Sequence, residues 1–99
     1  MKNIDKLQAI IYIKKIIGEI LLEDGIEVKI TNDMSLLASD SALDSMKLVE
    51  LCIILEDKAS KIGFEFDWTS ETAMSKSRSM FRSIESLAEE FINQFKAQK

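Results

Sequence analysis

The stretch at residues 46–57 constrains the fold of this chain most, because its apolar side chains lie on two sides of the helix that they predict. At about 100° per residue, one apolar stripe recurs at helical spacing and a second is centred roughly 140° around the helix. The first stripe contains Leu48, Leu51, Cys52 and Leu55, and the second contains Met46, Val49 and Ile53. A chain of 99 residues has one modest core. We therefore assign the first stripe to the core. The second is either covered by a neighbouring loop or left exposed as a binding surface.

Composition favours a mostly helical fold in a single domain that spans residues 1–99. The chain has no proline and only three glycines, which argues against turn-rich sandwiches and barrels. We expect an all-α fold, a small four-helix bundle with a long loop between the first two major helices.

The first helix is predicted to begin near Asn3, a residue type that caps helices well, with Asp5 in its first turn. It should run to about Glu23, because Gly25 supplies a stop signal. Five apolar residues fall on one broad face of this helix and are assigned to the core: Leu7, Ile10, Ile11, Ile17 and Leu21.

A long connection is predicted at residues 31–42, where serine, aspartate and asparagine are frequent. Three apolar residues should anchor it to the core: Met34, Leu36 and Leu37. The second helix is then expected to begin at Asp44 or Ser45 and to end at about residues 58–61.

Three aromatic residues alternate with other residues after the second helix: Phe64, Phe66 and Trp68. Because a single strand without a partner is improbable, we expect an extended connector that these rings pin to the core. Residues 70–74 predict one helical turn capped by Ser70, and the basic, serine-rich residues 76–82 predict a loop. Ser83 should cap a last helix. Its apolar face contains Ile84, Leu87, Ala88, Phe91, Ile92 and Phe95.

Charge and residue types exclude several classes of function. The net charge of −4 disfavours nucleic acid and anionic membrane surfaces, whose phosphates need clustered lysine and arginine. The chain has no histidine, so a serine–histidine triad or a histidine metal site cannot form within it. We therefore expect neither an enzyme nor a metal site. The single cysteine, Cys52, cannot form an intramolecular disulfide, and no signal peptide or membrane-spanning segment is recognisable, so we expect a cytoplasmic protein.

Asp44 and Ser45 stand at the predicted start of the second helix. A serine there is commonly only a cap. A phosphodiester on Ser45, however, would lie where unpaired backbone N–H groups and the positive end of the helix dipole favour an anion. The second apolar stripe begins at the next residue, and three carboxylates flank it: Glu50, Glu56 and Asp57. An apolar surface with an acidic rim is typical of a transient interface with a basic partner protein.

These residues resemble the acyl carrier proteins and related thiolation domains. The resemblance rests on Leu36-Leu37, Leu43-Asp44-Ser45-Met46, Leu48-Val49-Glu50-Leu51, Leu55-Glu56, Ile62-Gly63-Phe64 and Arg82-Ser83-Ile84. In their helical order these motifs extend over nearly the whole chain. In that family, the serine of an Asp-Ser-Leu or Asp-Ser-Met motif receives 4′-phosphopantetheine from a dedicated transferase.

The resemblance implies a role for each matching residue. Ser45, with Asp44 beside it, would carry 4′-phosphopantetheine derived from coenzyme A, and an acyl group would be held on it as a thioester. The residues that dock partner enzymes would be Met46, Val49, Glu50, Ile53, Glu56 and Asp57. The implied partners are a phosphopantetheinyl transferase and acyl-activating or acyl-transferring enzymes of fatty acid or secondary metabolite biosynthesis. The carrier itself would be a monomer without catalytic activity.

Two departures from the family pattern leave the choice of partner open. Ser41-Ala42 replaces the glycine often found shortly before the serine motif, and Lys47 stands where the family often has an acidic or small residue. Residues 64–82 look more like those of a specialised stand-alone carrier than of the housekeeping fatty-acid carrier. Two alternatives also stay open: an aminoacyl or peptidyl carrier, and an unmodified helical protein-interaction adaptor in which Ser45 is only a cap.

Overall fold

All of the regular structure in the described part of the chain is helical. The computed structural model describes residues 4–23, 25, 29–36, 45–75 and 77–98, without the side chains of residues 45, 77 and 78. The three long helices are α1 (Lys6–Glu23), α2 (Ser45–Ile62) and α5 (Ile84–Ala97). Two short helices, α3 (Glu71–Ser75) and α4 (Ser77–Met80), follow one another between α2 and α5. The predicted all-α class is therefore confirmed for these residues, none of which forms a strand.

The start of α1 is a capping box. The carboxylate of Asp5 accepts the backbone N–H of Gln8 at 2.8 Å, and the side-chain carbonyl of Gln8 accepts the N–H of Asp5 at 3.1 Å. This reciprocal pair satisfies two N–H groups that lack partners at a helix start. The predicted start near Asn3, with Asp5 inside the first turn, is therefore wrong, and Asn3 itself lies outside the described residues. The stop at Gly25 is confirmed, because this residue adopts a positive φ of 68°.

The buried face of α1 differs from the predicted one. Ile10, Ile17 and Leu21 are buried, but Leu7 is 64% exposed and Ile11 is 59% exposed. Four other residues complete the buried face: Ala9, Ile13, Ile16 and Ile20. Leu7 and Ile11 lie roughly 110–150° around the helix from the centre of that face, so their assignment to the core is wrong.

The predicted core stripe of α2 is confirmed. Leu51, Cys52 and Leu55 are at most 1% exposed, and Leu48 is half-buried against the same core. The helix ends at Ile62, slightly beyond the predicted end, because the next residue is Gly63 with a φ of 111°. The N–H of Phe64 then bonds to the carbonyl of Ala59 at 3.0 Å. This is the Schellman ending, whose left-handed residue is usually glycine.

The connector at residues 64–68 is pinned to the core by its aromatic residues, as predicted. Phe64 and Phe66 are buried, and Trp68 is partly buried against the core. The ring of Phe64 makes T-shaped contacts with the rings of Phe91 and Phe95, and the centroids lie 5.1 and 5.3 Å from its own. Such edge contacts stabilise a fold by about 0.5–1.5 kcal/mol beyond the apolar area that they bury.

Two glutamine side chains, one in α5 and one at its C-cap, hold the backbone of this connector. Gln98 accepts the N–H of Glu65 at 2.8 Å and donates to its carbonyl at 2.7 Å. Gln94 accepts the N–H of Asp67 at 2.6 Å and donates to its carbonyl at 2.9 Å. The two side chains thus satisfy backbone groups that a partner strand would otherwise pair. This explains how the connector stays extended without a sheet.

Residues 31–36 fasten the other connection to the start of α5. The N–H of Leu36, which is buried, bonds to the carbonyl of Phe81 at 3.2 Å. Two carbonyl groups accept the first N–H groups of α5: Met34 from Ile84 at 3.2 Å and Asn32 from Glu85 at 3.0 Å. The predicted anchoring by Met34 and Leu36 is therefore confirmed. Leu37 and the remainder of the predicted loop lie outside the described residues.

The segment at residues 76–82 contains helix α4, so its prediction as a loop is wrong in part. Met80 and Phe81 are buried, and this apolar pair brings the segment onto the core. Ser70 caps α3 as predicted, because its hydroxyl accepts the N–H of Ala73 at 3.2 Å. Ser83 caps α5 in the same way, and all six residues of the predicted apolar face of α5 are buried.

The long helices share one core. Helix α1 packs against both α2 and α5, and buried residues of all three join a single apolar cluster. The radius of gyration is 12.8 Å, which matches the roughly 13 Å expected of a compact chain of this length. No helix in the described ranges is long and apolar enough to cross a membrane. This packing leaves the second apolar stripe of α2 outside the core.

Candidate functional site

Ser45 is the first residue of α2, a helix of 18 residues. The first N–H groups of such a helix lack intrahelical partners, and its dipole places about half a positive charge at this end. An anion is therefore favoured here. The predicted helix start at this position is confirmed, whereas the side chain of Ser45 and the whole of Asp44 lie outside what the structure describes.

The second apolar stripe of α2 is exposed. Met46 is 81% exposed, Val49 is 43% exposed and Ile53 is 54% exposed. We call these three residues the apolar strip. The strip begins one residue after Ser45 and lies opposite the buried side of the helix, so α2 presents one apolar side to the core and another to solvent.

The acidic residues beside the strip differ in their contacts. All three are exposed. Asp57 forms an ion pair with Lys61 at 3.2 Å, and the carboxylate of Glu56 accepts the indole N–H of Trp68 at 3.2 Å. Glu50 has no ion pair with any described residue. Because an exposed ion pair is worth under about 1 kcal/mol, the Lys61 pair leaves Asp57 available to another cation.

The hydrogen bond between Trp68 and Glu56 is a feature that the sequence did not indicate. Val49 and Glu56 lie seven residues apart and therefore on the same side of α2. Trp68, half-buried on the connector, meets the helix on that side. The aromatic alternation predicted that this residue packs onto the fold, but no local signal predicted its partner.

Exposed apolar side chains also occur away from α2. Leu7, Ile11 and Leu22 of α1 and Met74 of α3 are each more than half exposed. None of these residues adjoins Ser45 in the sequence. In the sequence they are therefore separated from Ser45, whereas the apolar strip begins at the residue after it.

Cys52 lies on the buried side of α2. Burial raises the pKa of its thiol to about 12, and the nearby negative charge of Glu56 contributes further. The thiol is therefore protonated at neutral pH and is a poor nucleophile. We assign Cys52 to the core.

Comparison with known proteins adds no assignment for this site. No protein-family model, no curated protein and no solved structure matched the chain. Its function is therefore inferred from the residues and their geometry.

Proposed function

We propose that this protein is an acyl carrier protein, which holds an acyl intermediate as a thioester on a 4′-phosphopantetheine arm attached to Ser45. The observation that carries this proposal is the position of the apolar strip. The strip starts directly after Ser45 and continues along the exposed side of α2. An intermediate tethered to Ser45 therefore starts beside the surface that a partner enzyme would contact.

The residues at the start of α2 suit a phosphodiester. The hydroxyl of Ser45 forms the bond to phosphorus and loses its proton, while coenzyme A releases adenosine 3′,5′-bisphosphate. The first N–H groups of this 18-residue helix have no intrahelical acceptor, and together with the helix dipole they favour the resulting negative charge. When bound, phosphopantetheine supplies the thiol on which the acyl group is carried. The tether raises the local concentration of this group at each partner enzyme.

The exposed sides of α2 supply recognition. The partner is a phosphopantetheinyl transferase, or an acyl-activating or acyl-transferring enzyme, that places apolar residues on the strip. Asp44, Glu50, Glu56 and Asp57 add negative charge, which speeds encounter with a basic partner and is screened by salt. The order of a long first helix, an attachment helix, a short helical region and a last long helix also supports a bundle of acyl-carrier type.

The test is modification by a broad-specificity phosphopantetheinyl transferase with coenzyme A, followed by intact mass measurement. We expect one phosphopantetheine on the wild-type protein and none on Ser45→Ala. Ser60→Ala is the matched control, because Ser60 is an exposed serine on the same helix and should leave modification intact. A wild-type protein that several active transferases leave unmodified would contradict the proposal and favour the unmodified adaptor. An aminoacyl or peptidyl load would be recognised from the thioester on protein isolated from its host.

A further inference from the structure

Three apolar side chains of α1 lie on the side of the helix that faces away from the core. They are Leu7, Ile11 and Leu22, and each is more than half exposed. At about 100° per residue, the three fall within roughly 60° of one another around the helix. We call these three residues the α1 face. It is a second exposed apolar surface, on a different helix from Ser45.

The α1 face is long enough for another helix to lie along it. From Leu7 to Leu22 the helix rises by about 22 Å. Gly18 falls within the same range of angles, between Ile11 and Leu22, and leaves a dip there because it has no side chain. A β-carbon at Gly18 would lie 3.6 Å from Cδ1 of Ile30, which is an ordinary contact. Packing inside the fold therefore does not require this glycine, although glycine weakens a helix relative to alanine.

Two lysines flank the α1 face. Lys14 and Lys15 lie roughly 50° to either side of its centre. In the described part of the chain neither lysine forms an ion pair. The exposed Glu19 lies roughly 90° from that centre, beyond Lys15. An occupant of the α1 face therefore meets apolar side chains in the middle and a positive charge on each side, which carboxylates on the occupant would complement.

The charge of the whole chain favours a protein over a membrane as this occupant. An anionic bilayer is an extended negative surface, and it repels a chain whose net charge is −4. A single helix that lies along α1 feels mainly the charges within about 8–10 Å, where the two lysines are. The α1 face also has no tryptophan or tyrosine, the residue types that are enriched at membrane interfaces.

We propose that the exposed side of α1 docks an acidic amphipathic helix of a partner protein. Apolar residues of that helix, spaced three and four apart, lie on the α1 face, and one of them fills the dip at Gly18. Glutamates or aspartates beside them pair with Lys14 and Lys15. The recognition residues are thus different from those of α2, so this inference does not rest on the attachment of a group to Ser45.

The test titrates an acidic helical peptide into the isotope-labelled full-length protein at low salt and follows the chemical shifts of the backbone amides. The peptide repeats Leu-Ala-Glu-Leu-Glu-Ala-Glu three times, so its leucines form one stripe with glutamates on both flanks. We expect saturable shifts centred on α1 at millimolar peptide. A peptide of the same composition whose leucines are spread around the helix should cause no shift there.

Matched variants separate the charges from the apolar contact. Lys14→Glu combined with Lys15→Glu should weaken binding by about fivefold or more, and high salt should remove most of this difference. Ile11→Gln should also weaken binding, with an unchanged circular dichroism spectrum, because this side chain is mostly exposed. Lys96→Glu, at an exposed lysine of α5, should leave binding unchanged.

Three results with the peptides would overturn the inference. They are the absence of shifts on α1, equal binding of the rearranged peptide, and equal binding by the double lysine variant. Binding to anionic vesicles that this variant loses would assign the α1 face to a membrane. A sedimenting mass that grows with protein concentration, and that Ile11→Gln returns to a single chain, would assign it to a second copy. Either of these two assignments also rejects the proposal.

Discussion

Truncation of Ile53 should leave the fold almost unchanged, whereas truncation of Leu55 on the same helix should destabilise it strongly. Leu55 is 1% exposed, so Leu55→Ala removes a fully buried side chain and should cost about 2–5 kcal/mol. Ile53 is 54% exposed, so its partial burial stabilises the fold by only about half of the 1.5–3 kcal/mol that full burial of an isoleucine contributes. Alanine also forms helix better than isoleucine by a few tenths of a kcal/mol. The net cost of Ile53→Ala should thus be under about 1 kcal/mol.

The assay is urea denaturation followed by far-ultraviolet circular dichroism, with the rate of Ser45 modification measured on the same proteins. If the strip docks the transferase, Ile53→Ala should lower kcat/KM by about tenfold, which corresponds to about 1.4 kcal/mol of lost contact. Equal destabilisation by Ile53→Ala and Leu55→Ala would show that the strip belongs to the core. A normal kcat/KM for Ile53→Ala would show that the transferase does not use the strip.

Three further outcomes are expected. Gln94→Ala removes two hydrogen bonds to the backbone of Asp67 and should lower the free energy of unfolding in urea by about 1–2 kcal/mol. Asn93→Ala, at an exposed neighbour, should change it by under about 0.5 kcal/mol. Equal effects would show that Gln94 does not hold the connector. Glu50→Lys should slow Ser45 modification at low salt and much less at high salt, with little change in stability, and unchanged low-salt kinetics would exclude Glu50 from docking. Burial raises the pKa of Cys52 from 9.0 to about 12, so as the pH rises the unfolded state loses the thiol proton before the folded state does. The free energy of unfolding should therefore fall above about pH 9, by up to about 1.4 kcal/mol per pH unit. Cys52→Ala should show a shallower decline in unfolding free energy over that range, and identical slopes would contradict the shift.

The buried face of a helix could be predicted where its apolar residues form one narrow stripe. In α5, every predicted core residue is buried, because Ser83 marks the start and one stripe leaves no choice of face. The first helix has apolar residues on more than one side. Its periodicity alone could not exclude Leu7 and Ile11, since contacts with α2 and α5 decide which side is buried.

Part of the candidate site could be predicted from the sequence and part could not. Helical geometry predicted that Met46, Val49 and Ile53 lie away from the core stripe of α2, but it left open whether a loop covers them. The structure shows that all three are exposed. The bond between Trp68 and Glu56 depends on the path of the connector, which side chains of the last helix determine. Contacts between residues so far apart in the chain leave no periodic signal, so this bond could not be predicted.

The most direct measurement of the central claim locates the modification on the chain. The protein is modified with coenzyme A and a transferase and then digested, and the fragments are sequenced by tandem mass spectrometry. The carrier function predicts phosphopantetheine on the peptide that contains Ser45, with fragment ions that place the group on that serine. A modified group on any other residue, or unmodified Ser45 peptide after treatment with transferases that are active on a control carrier, would contradict the account.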